Sequence, residues 1–177
     1  MKKLIESSGW AFSFNKGDED KLLKIIAMLS EKYLNGKVFL PHISCFGSTM
    51  STEAKNVELI KKIKKIKPFK IKLHQILFEK KIFKTLFIEV EPNQEMLKIV
   101  KLFEKSFGQA FAFNPHISLI YKENLSMTER KKLATSLKFP QTIEVSAILR
   151  YTNDTGKVNF DEWETVKYPF CHVSSHD

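Results

Sequence analysis

The chain has only two cysteines, Cys45 and Cys171, in 177 residues. A disulfide framework therefore does not organise the fold, and a reducing, cytoplasmic setting is expected. Long apolar runs are also missing. No stretch reaches the roughly eighteen residues that a membrane-spanning helix needs, so no membrane partner is expected. The opening Met1-Lys2-Lys3-Leu4-Ile5-Glu6 is basic, but no apolar stretch follows it, which argues against a secretory signal. Arginine is nearly absent. Arg130 and Arg150 are the only two, leaving lysine to supply nearly all of the 29 basic residues. Surfaces that grip phosphates bidentately usually use arginine. The net charge of +9 therefore reads as a solvated lysine surface with mild attraction for anions, not as a nucleic-acid interface. The abundance of Lys, Ile, Phe and Asn points the same way, toward AT-rich coding.

Apolar residues make up 43% of the chain. That is enough to bury a core, and the length suits one domain over 1–177, or two small lobes sharing it. Gly9 to Phe14 alternates large and small side chains, as a strand does. Acids at 18–20 open a helix whose apolar stripe is Leu22, Ile25, Ile26, Leu29 and Tyr33, and Asn35-Gly36 stops it. Lys37 to Phe46 reads as a second strand. Ser51 can cap a helix carrying Leu59, Ile60, Ile63 and Ile66, which Pro68 ends. Phe69 to Glu79 and Ile82 to Glu91 read as strands joined by a tight turn at Lys80-Lys81. Met96, Ile99, Val100, Phe103 and Phe107 mark a helix closed by Gly108. Asn114 to Tyr121 is strand-like, and Ser126-Met127-Thr128-Glu129 is a capping box. Thr142 to Tyr151 and Glu162 to Tyr168 close the chain as strands. The order strand, helix, strand, helix, strand occurs twice. This predicts an α+β, bilobal, duplicated fold, with two antiparallel-rich sheets facing a central cleft and helices outside.

Pro-His-Ile-Ser also occurs twice, at 41–44 and 115–118. Residues i and i+2 of a strand share a face, so His42 projects with Ser44, and His116 with Ser118. Two imidazoles and two hydroxyls in one cleft suit hydrolysis of a phosphate ester. One imidazole takes a proton from water while the other gives one to the leaving oxygen, and the hydroxyls donate to phosphate oxygens. A lone His-X-Ser is usually a buried or surface histidine with a local hydrogen bond. Two copies at matching places in a duplicated order, each with proline before histidine, favour catalysis. Zinc needs three or four ligands, and neither motif has a third at useful spacing, so neither a metal nor a cofactor is expected. Cys45 falls one residue off the His42 face and should enter the core. His74 reads as an ordinary strand histidine, and His172 and His176 as tail residues.

On these paired motifs the chain resembles the two-histidine (2H) phosphoesterase superfamily, and within it the cyclic phosphodiesterases known from plants and yeast. Further segments carry the resemblance: Trp10, Phe39-Leu40 before the first motif, Ser51 to Lys55, Leu119-Ile120-Tyr121 after the second, Thr128 to Lys132, and Trp163 to Val166. It implies a bilobal fold with the site in the groove. It also implies hydrolysis of ADP-ribose 1″,2″-cyclic phosphate and of nucleoside 2′,3′-cyclic phosphates to 2′-phosphates. His42 and His116 map onto the catalytic pair, and Ser44 and Ser118 onto substrate-binding hydroxyls. Trp10 and Tyr121 map onto residues flanking the substrate, although aromatics beside apolar strands are more often core. Ser44 stands where threonine is common in the group, and the cysteine pairs of plant relatives are not evident. Strict alternation puts Tyr121 opposite His116, so its role requires the strand to end or twist there. The expected partners are a small cyclic phosphate or nucleotide, with RNA 3′ ends as a further class, and a monomer is expected. A 2′-5′ RNA ligase-type enzyme, or an RNA-binding module on the same scaffold, are the alternatives.

Overall fold

Asn15 accepts the amide of Asp18 at 2.9 Å and so starts the first helix. The computed structural model describes residues 5–122, 124–152 and 164–171, so Trp163, His172 and His176 lie outside the described residues. The elements are β1 (Ile5–Phe14), α1 (Lys16–Tyr33), β2 (Ile43–Thr52), α2 (Glu53–Ile63), β3 (Phe69–Leu77), a 3₁₀ turn (Ile82–Lys84), β4 (Leu86–Val90), α3 (Gln94–Phe107), β5 (His116–Ile120), α4 (Met127–Ser136), β6 (Thr142–Thr152) and β7 (Glu164–Pro169). Asn93 caps α3. Gly108, at φ 67°, closes it in the left-handed region that glycine adopts without a Cβ clash. The Ser126 hydroxyl caps α4, accepting the Glu129 amide at 3.2 Å and lying 2.9 Å from the Glu129 carboxylate. No helix among the described residues is long and apolar enough to cross a membrane.

Three boundaries differ from the sequence reading. Residues 37–42 are loop, and β2 begins only at Ile43. Pro41 has no N–H to give a ladder, and the Ser30 hydroxyl donates to the carbonyl of Lys37. Ser51 stays in β2, where its buried hydroxyl donates to Asn56 at 2.7 Å, and Thr52 takes the cap position of α2. The expected tight turn at Lys80-Lys81 is a longer connection through the 3₁₀ turn. It is tied by Glu79 N to Lys84 O at 2.7 Å and by the Thr85 hydroxyl to Ile82 O at 2.9 Å.

The seven strands pair antiparallel in the order β2-β1-β6-β3-β4-β5, with β7 on β6. The halves are β1-α1-β2-α2-β3 and β4-α3-β5-α4-β6. Exchanging each strand with its counterpart in the other half maps the order onto itself. The pseudo-twofold passes between β3 and β6, which pair from Phe69↔Val145 to Lys72↔Thr142. The third strand of each half is thus added to the first strand of the other. The helices obey the same exchange, since α1 packs on β5 and α3 on β2. The two expected sheets are therefore joined into one order, and its ends, β2 and β5, meet each other.

The core is continuous across the halves and includes Trp10, Phe12, Phe46, Leu86, Phe103 and Ile117. Cys45 lies in it, as expected. Both arginines are buried in structural roles. Arg130 donates to the carbonyls of Leu125 and Glu79, and Arg150 to the Ser8 hydroxyl. Trp10 requires a correction. Expected beside the substrate, it is 0% exposed, 5.3 Å from the Phe103 ring, with Arg150 over its own ring at 5.9 Å. Register shifts on both sides of Trp10 disturb the simple alternation, and it is the adjacent Gly9 that meets a cleft residue, Tyr151. Trp10→Ala should therefore cost about 3–5 kcal/mol in urea unfolding, the usual cost of an emptied aromatic site. It should leave KM for a cyclic phosphate unchanged, and a raised KM at intact stability would return Trp10 to the cleft.

Candidate active site

In each motif a backbone carbonyl two residues earlier meets the histidine ring. His42 Nδ1 lies 2.8 Å from the Leu40 carbonyl oxygen, and His116 Nδ1 lies 2.8 Å from that of Asn114. A carbonyl only accepts, so Nδ1 carries the hydrogen in both rings. Nε2 is then the nitrogen that exchanges protons. The intervening Pro41 and Pro115 have fixed φ and cannot donate, which leaves this local bond without a backbone competitor at that position. The repeated carbonyl contact thus sets the tautomer twice.

His42, Ser44, His116 and Ser118 line one cavity of about 260 Å³ together with Phe83, Tyr121 and Tyr151. The sequence motif is therefore assembled in space. Tyr121 joins it because β5 ends at Ile120, which frees Tyr121 from the strand alternation. Its hydroxyl is hydrogen-bonded to Ser118, whose own hydroxyl donates to the Phe83 carbonyl at 3.0 Å. Tyr151 is likewise hydrogen-bonded to Ser44. Burial pushes both phenols up to about 12, so both stay neutral donors at ordinary pH. Each histidine thus comes with a serine and a tyrosine. The first tyrosine arrives three residues after its serine, the second from β6. In the position matching Tyr121, the first repeat has Gly47.

Tyr151 and Phe83 are the site residues that sequence reasoning missed. Phe83 sits on the 3₁₀ turn that replaces the expected tight turn. Tyr151 faces the cleft because β6 pairs with β1 opposite Gly9, a long-range register with no local signature. His74 is an exposed strand residue 3.3 Å from Glu91, away from this cavity. Among the described residues, no three His, Cys, Asp or Glu side chains are grouped so that they could hold a metal ion.

Burial lowers the pKa of both imidazoles. For His42 it outweighs the Leu40 carbonyl bond, and the charge of His116 adds to the lowering. For His116 burial again leads, opposed by the Asn114 carbonyl, with Lys84 lowering and Glu79 raising the value. The free cleft thus favours two neutral rings at neutral pH, and a bound anion is what favours charging one of them.

The family described as cyclic phosphodiesterase-like protein matches residues 8–167. Among solved structures, Escherichia coli LigT complexed with 3′-AMP superposes with a TM-score of 0.58 at 10% identity, covering 96% of this chain and 100% of its own. LigT complexed with NADP⁺ gives 0.59 at 10% identity over 95% and 99% of the two chains. The TT0787 protein of Thermus thermophilus gives 0.58 at 11% identity over 91% and 94%. At such identities the likeness is one of fold. No curated protein matches the chain by sequence. A duplicated α+β fold that brings two His-X-Ser strands to one cleft defines a 2H phosphoesterase. Within that class, the chain belongs to the cyclic phosphodiesterase-like family.

A pair of imidazoles working as acid and base reacts with one ring neutral and one protonated, and that form is most populated between their two values. Both are lowered from the ordinary value of about 6.5. The bell of kcat/KM, which reports the free protein, should therefore centre on the acid side of about pH 6.5. Bound phosphodiester anion stabilises the imidazolium and raises its pKa, so the bell of kcat should lie at higher pH. Rates on a nucleoside 2′,3′-cyclic phosphate between about pH 4 and 9 test this. Coincident bells, or a kcat/KM maximum well above neutrality, would contradict it.

Proposed function

We propose that the protein hydrolyses ribose cyclic phosphates, nucleoside 2′,3′-cyclic phosphates or ADP-ribose 1″,2″-cyclic phosphate, in the cleft of one bilobal domain and without a metal ion. The observation that supports this most is the twin arrangement of X-Pro-His units, each with Nδ1 held by a carbonyl, opening on a single cavity. In-line displacement at phosphorus needs a base on one side and an acid on the other, and a pseudo-twofold pair of imidazoles meets that geometry. Water attacks phosphorus and gives its proton to the neutral Nε2. The bond from phosphorus to one ribose oxygen breaks, and that oxygen takes the proton from the other, protonated Nε2. From a 2′,3′-cyclic phosphate, cleavage at the 3′ oxygen leaves a 2′-phosphate. Each turnover exchanges the protonation states of the two rings, and solvent resets them.

The serines and tyrosines hold the non-bridging oxygens. Ser118 donates to the Phe83 carbonyl in the free cleft, so its hydroxyl must rotate to meet a phosphate. Half-buried Lys84, near enough to lower His116, lies at that side, where Glu79 at 3.4 Å offsets part of its charge.

His42→Ala and His116→Ala should each lower the rate by about 10²–10⁴ without unfolding the protein. The double variant should lose less than the product of the two losses, because the pair acts as a unit. Ser44→Ala should cost on the order of 10², whereas Ser44→Thr keeps the hydroxyl and should stay active. The substrate class is tested by a panel run with EDTA present: 2′,3′-cyclic mononucleotides, ADP-ribose cyclic phosphate and 2′-5′ linked RNA. Turnover of the cyclic phosphates is the expected result. Turnover of the linked RNA alone would favour an RNA-end enzyme, and activity lost to EDTA and restored by zinc or manganese would mean a metal mechanism.

A further inference from the structure

Among the described residues, one strand edge lacks what covers its twin. The pseudo-twofold exchanges β3 with β6, whose shared pairing runs from Phe69↔Val145 to Lys72↔Thr142. Val145 also pairs with Phe14, so β1 and β3 take opposite edges of β6. Past β3, the same edge of β6 is taken by β7, from Ala147↔Pro169 to Thr152↔Glu164. On β3 the corresponding edge keeps one last rung, the Leu73 amide donating to the Gln141 carbonyl at 3.0 Å. Beyond it β4 pairs on the other side. From His74 to Leu77, no strand among the described residues takes the β6-side edge.

A groove of about 670 Å³ lies along this edge. Gln75, Ile76 and Phe78 form its strand wall, Lys131 and Ala134 of α4 its helix wall, and Phe139 comes from the connection between α4 and β6. It shares no residue with the phosphate cleft. The helix above it is packed more thinly than its counterpart. α4 buries only Arg130, whereas α2 buries Asn56, Leu59 and Ile63. In the other half, the chain after β7 finishes the cover. The Phe170 ring lies 6.1 Å from that of Phe69, and the Cys171 amide donates to the Ile66 carbonyl at 2.8 Å, on the connection between α2 and β3. The groove is thus the place that β7 and its following residues fill on the opposite side of the pseudo-twofold.

An open strand edge offers N–H and C=O groups that a polypeptide backbone matches and a sugar-phosphate backbone does not. Ile76, Phe78 and Phe139 suit apolar side chains on alternate residues of an added strand. No carboxylate lines the groove, and Lys131 is exposed beside it. Glu89 and Glu91 are engaged by Gln75 and His74 on the β4 side. Lysine at an open edge keeps like chains from pairing there, and a net charge of +9 opposes a second copy of this chain. An acidic segment meets neither obstacle.

We propose that this groove docks an extended acidic segment of another protein, added to β3 as an antiparallel strand in the way that β7 is added to β6. No residue of the phosphate cleft takes part, so docking and hydrolysis stand or fall separately.

The probe is an acetylated and amidated Glu-Val octapeptide, titrated at neutral pH into the ¹⁵N-labelled protein and followed by amide shifts. Its controls are a Glu-Pro octapeptide, which has the same charge but lacks every second N–H, and a Lys-Val octapeptide. The Glu-Val peptide alone should bind saturably, with shifts confined to the amides from His74 to Phe78 and over 131–141. Lys131→Glu should weaken it by about tenfold, and because Lys131 is exposed the variant should fold as wild type does. Equal binding of the Glu-Pro peptide would reduce the site to charge attraction and overturn strand addition. So would shifts in the phosphate cleft, an affinity unchanged in Lys131→Glu, or no binding at about 1 mM peptide. Shifts at the same edge that grow with protein concentration, without peptide, would make the occupant a second copy, which also overturns the proposal.

Discussion

Four residue pairs, from Phe69 with Val145 to Lys72 with Thr142, hold the two halves in register. Because β3 and β6 each add to the other half's first strand, the halves cannot separate without giving up backbone hydrogen bonds, and buried ones are costly to lose. The helices reinforce the exchange, since each histidine strand is packed by the first helix of the opposite half. The distance between the imidazoles is therefore set by the sheet and the core, not by a flexible linker. The proposed in-line displacement, with base and acid on opposite sides of one phosphorus atom, would use that rigidity.

Within this frame the proton chemistry is set locally. The carbonyl before each proline holds one ring nitrogen, and burial disfavours the imidazolium in both rings. The free cleft thus favours two neutral rings, and in the proposed reaction the anion of the substrate supplies the stabilisation that an acid needs. Neutral tyrosines beside the serines contribute donors without adding charge that would shift this balance. The lysine-rich surface adds only long-range attraction, and both arginines are engaged inside the structure.

Much of this was legible in the chain because it is written in short periods. The strand alternation of the second motif, the helix stripes, the caps at Ser126 and Gly108, and the doubled element order are local signals. What escaped depends on contacts between distant segments. Trp10 looked like a cleft residue, but the irregular register around it puts its indole in the core and Gly9 opposite Tyr151. Tyr151 has no local mark of function. It enters the cleft through the pairing of β6 with β1 and through the space that Gly9 leaves. Phe83 falls in an apolar stretch with the pattern of a strand, and only the hydrogen bonds of the 3₁₀ turn bring it to the serine. The loop at 37–42 looked like strand because Val38, Phe39 and Leu40 are apolar. In the structure they line the cavity beside His42 instead.

In the proposed mechanism the cleft makes one histidine an acid and the other a base only when a phosphate occupies it. Nitrogen NMR of the ¹⁵N-labelled imidazoles, recorded near pH 7 with and without a nucleoside 2′-phosphate, reads this directly. Both His42 and His116 should be neutral with the proton on Nδ1 in the free protein, and one of them should become imidazolium when the product binds. Two rings that stay neutral in the complex, two that are charged together, or a free form with the proton on Nε2 would contradict it.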